Sequence, residues 1–253
     1  MNYENHISAC DKLQSEIETY RPLNDHTLSQ LRQFYRVGLT YASNALEGNT
    51  LTESETKVVL EDGLTIGGKP MKDHLEAIGH AKAYDRIYDL LENPGIQEAD
   101  LLALHRLVME GMDAGEPGQY RSKPVIITGT SYIPPGPGLV SKQMADFLEE
   151  KLPSWLKNEH PIQAAGLAHL EFVTIHPFMD GNGRTARLLM NLLLLQAGYG
   201  ITLIPPILRG DYMAALRLYQ EGGDKTEFLN FISTTVYESS KDWLRMVKHL
   251  QPH

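Results

Sequence analysis

The stretch PIQAAGLAHLEFVTIHPFMDGNGRTARLLMNLLLLQAG, residues 161–198, decides the fold. Its first part reads as a helix up to His176, because Pro177 disfavours helical geometry in the residue before it. Its last part, LLMNLLLLQAG, is apolar nearly all round, as expected of a helix buried in the middle of a bundle. Two helices therefore meet at a short loop. That loop gathers a histidine, a carboxylate, two glycines around an asparagine, and two arginines, which a tight turn alone does not need.

Each of these residues suits one chemistry. Gly181 and Gly183 let a ligand approach the main chain closely, and successive N–H groups at a helix start form an anion cradle. Arg184 and Arg187, three apart in the first turn, add fixed positive charge for a polyphosphate. Asp180 can hold a magnesium ion against the same phosphates. His176 beside an anchored polyphosphate is suited to take a proton from an attacking hydroxyl. Taken singly, a histidine before proline is more often structural, a lone GxG is usually a turn, and arginine pairs often only bridge carboxylates. The compact combination shifts that balance. GNGRTA also matches the dinucleotide pattern G-x-G-x-x-A, but that fold needs alternating strands and an acid about twenty residues on. The flanks here read as helical and ITLIPPIL carries no acid.

Outward from the loop, most segments keep helical spacing. Leu28, Leu31, Phe34, Tyr35, Ala42 and Leu46 recur at three and four until Gly48-Asn49 stops the pattern. Thr52 with Glu55 reads as a capping box for a short helix through Leu60. Further helices are predicted near 70–92, 97–112, 140–157, 161–175, 184–197, 210–221 and 225–249, the last closing the bundle or forming a dimer face. The exception is YRSKPVIITGTSYIPPGPGLV (120–140), whose β-branched run, Thr128-Gly129-Thr130 turn and Tyr132-Ile133 return predict one small β-hairpin. His74, His80, His105 and His169 fall in helical stretches without a tight ligand cluster and read as structural or surface residues.

At 253 residues, with 42% apolar and 22% charged residues, the chain is long and apolar enough to bury a core. We read one unit: an N-terminal region (1–62), a core of about 63–224 and a C-terminal helix (225–253). A net charge of -9 argues against nucleic acid as a partner. The longest apolar run is interrupted by Asn191, Gln196, Gly198, Gly200 and Pro205-Pro206, which argues against a membrane span. The start lacks the pattern of a signal peptide, and Cys10 alone makes no internal disulfide; a reducing cytoplasm fits best.

HPFMDGNGRTAR (176–187) resembles the Fic family signature, HPFx(D/E)GNGRxxR, at every specified position. PGQYR (117–121), the segment before the Pro134-Pro135 pair and DYMAALRLYQEGGD (211–224) are also similar to that family of protein adenylyltransferases. The resemblance implies a mainly α, Fic-type helical bundle with a small hairpin flap. It implies an enzyme that moves AMP from ATP to a Ser, Thr or Tyr hydroxyl of a target protein, releasing pyrophosphate. His176 would be the base, Asp180 would bind Mg2+, and Gly181, Asn182, Gly183, Arg184 and Arg187 would hold the nucleotide. Tyr212 and Gln220 would contact adenine, although the family often has two adjacent tyrosines where this chain has Tyr212-Met213. Ile126, Ile127, Thr128 and Tyr132 would form the target-binding flap by strand addition. Gly183 favours AMP transfer, since kinase-type Doc relatives carry lysine there.

SNALEG, residues 43–48, is similar to the inhibitory pattern (S/T)xxxE(G/N) of Fic proteins with their own N-terminal inhibitory helix. The resemblance implies that Glu47 pairs with Arg187 and misaligns ATP, Ser43 being the other inhibitory-motif residue. Net removal of AMP, another phosphate donor, or a nucleotide-sensing module without catalysis are the alternatives. Self-modification and a homodimer are further options.

Overall fold

A computed structural model describes residues 3–93, 95–112 and 116–251. Helix α1 (Ile7–Glu18) is followed by the long α2 (Asp25–Leu46), whose start is fixed by the Asn24 side chain accepting from the Thr27 N–H. The Thr52/Glu55 capping box forms as expected and opens α3 (Glu53–Lys57), which runs into one π turn (Val58–Asp62). Next come α4 (Met71–Asp89) and α5 (Glu98–Val108), the second opened by a Gln97/Asp100 capping box. A helical stretch from Pro137 to Asn158 is interrupted by a π turn at Phe147–Lys151, giving α6 (Pro137–Asp146) and α7 (Leu152–Asn158). Then follow α8 (Pro161–Ile175), α9 (Asn182–Gln196), α10 (Arg209–Gly222) and α11 (Thr226–Leu250).

The centre is the helical pair α8 and α9. From Arg184 to Leu194 every residue of α9 is buried, and Leu188, Leu189, Met190, Leu192 and Leu194 are almost fully so. Burial of each such side chain contributes about 1.5–3 kcal/mol. Helices α4 and α5 pack on α9, while α7 and α11 pack on α8. Helix α2 lies across α4 and also meets α9, which brings the end of the N-terminal region to the loop between α8 and α9. That loop is consequently held on an apolar base from two sides.

The predicted helices are present, with ends shifted by up to a few residues. Two features differ from expectation. Residues 7–18 form α1, packed on α11 through buried Cys10 and Ile17, although no periodicity was assigned before residue 26. The predicted hairpin does not form: among the described residues there is no strand. The reason lies in the partners of its returning arm. Thr130 Oγ1 and the Ser131 N–H and Oγ all bond Glu221 on α10, at 2.8–3.0 Å, and the Tyr132 hydroxyl donates to the Thr174 carbonyl on α8. The return arm is thus tied to helices rather than to the outgoing arm. Along the latter, Val125 and Ile127 are half-buried while Ile126 and Thr128 are exposed, the alternation of an extended segment with its main chain unpaired. The C-terminal helix is present as α11 to Leu250; residues 252 and 253 of that segment, like residues 1 and 2, lie outside the described ones.

Candidate active site

His176 ends α8 in the left-handed conformation, φ 51°, and among the described residues it is the only non-glycine with positive φ. A side chain held there implies strain that the surroundings must hold in place. Arg121 does much of this: its main-chain N–H donates to the Pro177 carbonyl at 2.9 Å, and its Nε donates to the His176 carbonyl at 2.7 Å. Its Nη groups reach the carbonyls of Lys123, Pro135 and Ile175. One buried guanidinium therefore gathers the carbonyls at the end of α8 and the base of the 120–136 segment. Arg121→Ala leaves several of them without a donor, and we expect a loss of about 2–4 kcal/mol in urea unfolding. Arg121→Lys, a single point donor, should recover only part of it.

The His176 imidazole donates from Nδ1 to the Val173 carbonyl at 3.2 Å, which leaves Nε2 as the free acceptor. Burial holds its pKa below the ordinary histidine value; Arg121 acts in the same direction, while the Val173 carbonyl, Glu47 and Asp180 oppose it. The ring is therefore a neutral base at pH 7.

After the histidine, Phe178 is fully buried and its main chain is locked by Asn182. Asn182 Oδ1 accepts from the Phe178 N–H and Nδ2 donates to the Phe178 carbonyl, both at 2.9 Å. The His105 ring stacks flat on Phe178, with centroids 3.6 Å apart. Its Nδ1 accepts from the Gly118 N–H, so Nε2 carries the proton and donates to the Asp180 carbonyl at 2.9 Å. Burial keeps this ring neutral, with a pKa lowered to about 4. Gly181 has φ 75°, and a Cβ there would lie 2.7 Å from Met109 Sδ, so both conformation and space demand glycine. No side chain caps α9, leaving its first N–H groups open toward an anion.

Both arginines of the motif are buried, yet neither is free. Arg184, 1% exposed, forms ion pairs through Nη1 with Glu76 Oε1 at 3.2 Å and through Nη2 with Asp180 Oδ1 at 3.4 Å; its Nε and Nη1 make no hydrogen bond. Arg187, 2% exposed, is nearly saturated. Its Nε donates to Ser43 Oγ at 3.0 Å, Nη2 to the Ser43 carbonyl at 2.8 Å and to Glu47 Oε1 at 2.7 Å, and Nη1 to the Tyr212 hydroxyl at 3.3 Å. Beneath it, the Tyr212 hydroxyl bonds His169 Nε2, and burial lowers His169 to a pKa of about 3, with Arg187 adding to the effect. The base of the site is thus neutral under two cations.

Glu47 sits at the C-terminal end of α2, and its carboxylate crosses the start of α9. A Cβ on Gly183 would lie 2.2 Å from Glu47 Oε1, so the glycine is what lets this carboxylate reach Arg187. Arg209, donating from Nε to the Leu46 carbonyl at 2.7 Å, ties the same helix end to α10.

The structure brings His176, Asp180 to Arg184, Arg187, Ser43, Glu47 and Tyr212 into one site. Gln220 lies in the last turn of α10, half-buried, and Ile126, Ile127, Thr128 and Tyr132 lie on the segment anchored by Arg121. Sequence reasoning missed Arg121, His105, Glu76 and Arg209. Arg121 stood inside the PGQYR stretch without a role, and nothing in the spacing of the others marks their partners. As for a metal, Asp180 is 44% exposed with Oδ1 taken by the Gly181 N–H, and among the described residues no three His, Cys, Asp or Glu side chains cluster as ligands. A lone carboxylate at an anion cradle fits magnesium, which is bound by one or two carboxylates plus substrate phosphates.

The Fic/DOC family model matches residues 95–194. The chain is 36% identical over 236 residues to the protein adenylyltransferase Fic of Drosophila mojavensis, covering 91% of this chain and 45% of that one. It spans less than half the length of the curated relatives it matches. Among solved structures, Fic-1 from C. elegans superposes with a TM-score of 0.82 at 31% identity, over 97% of this chain and 72% of that one. A Fic domain containing signaling protein from Bacteroides thetaiotaomicron gives 0.87 at 26% identity, over 95% and 97%.

Proposed function

Because this chain belongs to the Fic family, we propose that it is a protein adenylyltransferase held at rest by Glu47. The observation that carries this reading is the joint placement of a neutral His176, an uncapped helix start and two buried arginines, of which Arg187 is paired with Glu47 from the N-terminal region. The first N–H groups of α9 and Arg184 hold the phosphates of ATP, and Arg187 holds the terminal one. Asp180 holds the Mg2+ that arrives with the nucleotide, and the metal's charge there offsets that of the phosphate oxygens. The target hydroxyl gives its proton to His176 Nε2 as its oxygen bonds the α-phosphorus; the bond from that phosphorus to the bridging oxygen breaks and pyrophosphate leaves. The main chain of 124–128 holds the target segment by strand addition, with Ile126, Ile127 and Thr128 along it and Tyr132 anchoring its return. Tyr212 and Gln220 border the adenine side.

With Glu47 paired to Arg187, the terminal phosphate lacks its cation and the α-phosphorus is out of line for attack. The target is a protein hydroxyl, this chain's own among the options, and a homodimer is compatible with the reading. A cytoplasmic location belongs to this reading on the strength of the single cysteine, which is buried and free.

The test is the fate of labelled phosphate. We expect a chain lacking Glu47 to retain label from the α-phosphate of ATP and none from the γ-phosphate. Transfer of γ label means a kinase. Loss of α label from a premodified target, with no transfer, means net AMP removal. Neither event with any nucleotide donor means a site that only senses nucleotide.

A further inference from the structure

The Asn49 side chain makes three hydrogen bonds just behind Glu47, using both donors and its oxygen. Its Nδ2 donates to Glu76 Oε2 at 2.9 Å and to the Asp73 carbonyl at 3.0 Å, and its Oδ1 accepts from the Leu51 N–H at 3.0 Å. The next residue is gripped as well: the Thr50 N–H and Oγ1 both donate to Asp73 Oδ2, at 2.8 and 2.6 Å. Asn44 Nδ2 donates to the Glu76 carbonyl. Asp73 and Glu76 are both buried, in the first two turns of α4, while Asn49 is half-buried and Thr50 exposed, so these bonds are partly shielded from water. The other oxygen of Glu76 forms an ion pair with Arg184, the buried arginine whose Nε and Nη1 make no hydrogen bond.

We infer that Asp73 and Glu76 form a clamp that sets the strength of the brake, and that Glu76 is a positioning residue shared between the Glu47 turn and Arg184. The inference rests on the adenylyltransferase reading. Glu47 caps the C-terminal end of α2 before the chain turns at Gly48, so its carboxylate reaches Arg187 only while residues 49 and 50 are fixed against α4. The same carboxylate that fixes Asn49 also directs a phosphate-binding guanidinium. Brake and phosphate site therefore share one group.

The experiment compares Asn49→Ala, Asn49→Asp and Glu76→Gln in chains with and without Glu47→Gly. Asn49→Asp sets a carboxylate against Glu76 and the Asp73 carbonyl, and should raise the initial rate of AMP transfer at least about fivefold when Glu47 is present. With Glu47→Gly it should change the rate by less than about twofold, because the clamp then holds nothing. Asn49→Ala should act in the same direction with a smaller rise. Glu76→Gln should raise the rate with Glu47 present; with Glu47→Gly it should raise KM for ATP about tenfold and leave kcat within about twofold. Equal losses in both backgrounds would mean a structural role only and overturn the inference, as would unchanged rates in the Asn49 variants. If Glu76→Gln does not fold, the Asn49 pair decides. Amide hydrogen exchange over residues 44–50 keeps the two readings apart. Faster exchange in Asn49→Asp, in a protein whose Glu47→Gly form transfers nothing, upholds the clamp and sinks the adenylyltransferase reading; unchanged exchange sinks the clamp whatever the activity.

Discussion

A chain carrying both Glu47→Gly and His176→Ala should transfer AMP at least about 10²-fold more slowly than Glu47→Gly alone. Initial rates with ATP and magnesium, read by intact-protein mass spectrometry, check it. The expectation follows from where the ring is held. The Arg121 clamp and the left-handed backbone fix His176 at the end of α8, and the bond to Val173 commits Nδ1 as a donor, leaving Nε2 toward the site. The neighbouring histidines are engaged, His105 with Asp180 and Gly118, and His169 with Tyr212. Binding of ATP should survive the substitution, so a His176→Ala chain that lost nucleotide affinity as well as rate would point to collapse of the loop instead.

The pH profile carries the sign of the same argument. Burial depresses the pKa of His176, so the active neutral form persists below the ordinary histidine value of about 6.5 and is lost only as pH falls further. The Glu47→Gly chain should therefore show a level rate through pH 7 and an acid limb displaced downward. Glu47 raises this pKa, so its removal moves the limb further in the acid direction. A limb centred above pH 7 would contradict a buried neutral base.

The central pair of helices was legible because its two signals are local. An apolar sequence on every face allows a helix no place but the interior, and Pro177 with Gly181 leaves the chain no helical path between α8 and α9. The pairing of Glu47 with Arg187 was legible only through two motifs together, since an acid near a helix end is otherwise a solvated charge. What stayed hidden depends on partners distant in sequence. Arg121 reaches carbonyls some 55 residues away, and His105 reaches Asp180 across 75, distances at which no periodicity carries information. The hairpin was misread for the same reason: the β-branched run and turn residues are all present, but Glu221 and Thr174 take the return arm's donors. Local propensity could not see what competes for the partner of the outgoing arm.

Glu47→Gly should raise the rate of AMP transfer by on the order of 10²-fold, the scale at which a misplaced reacting phosphate limits catalysis. The carboxylate is 39% exposed but its partner is 2% exposed, and with Ser43 and Tyr212 it leaves a single Nη1 hydrogen of Arg187 unassigned. Removing it frees an Nη2 donor and a full positive charge at the place where the terminal phosphate must lie. The same change has a cost in the absence of nucleotide. A buried guanidinium loses its counter-charge, and since Glu47 is partly solvated the loss should be about 1–3 kcal/mol rather than the larger value for a fully buried pair. The released chain should thus melt earlier than the resting one when empty. With ATP and magnesium the order should narrow or invert, because the phosphate now supplies the missing charge and ligand binding adds to folded-state stability. Glu47→Gln, which keeps an acceptor for Arg187 and no charge, should fall between the two in both rate and melting temperature. If Glu47→Gly speeds transfer without changing how strongly ATP stabilises the protein, Arg187 is not the group the brake withholds, and the carboxylate must act on the α-phosphate geometry by another route.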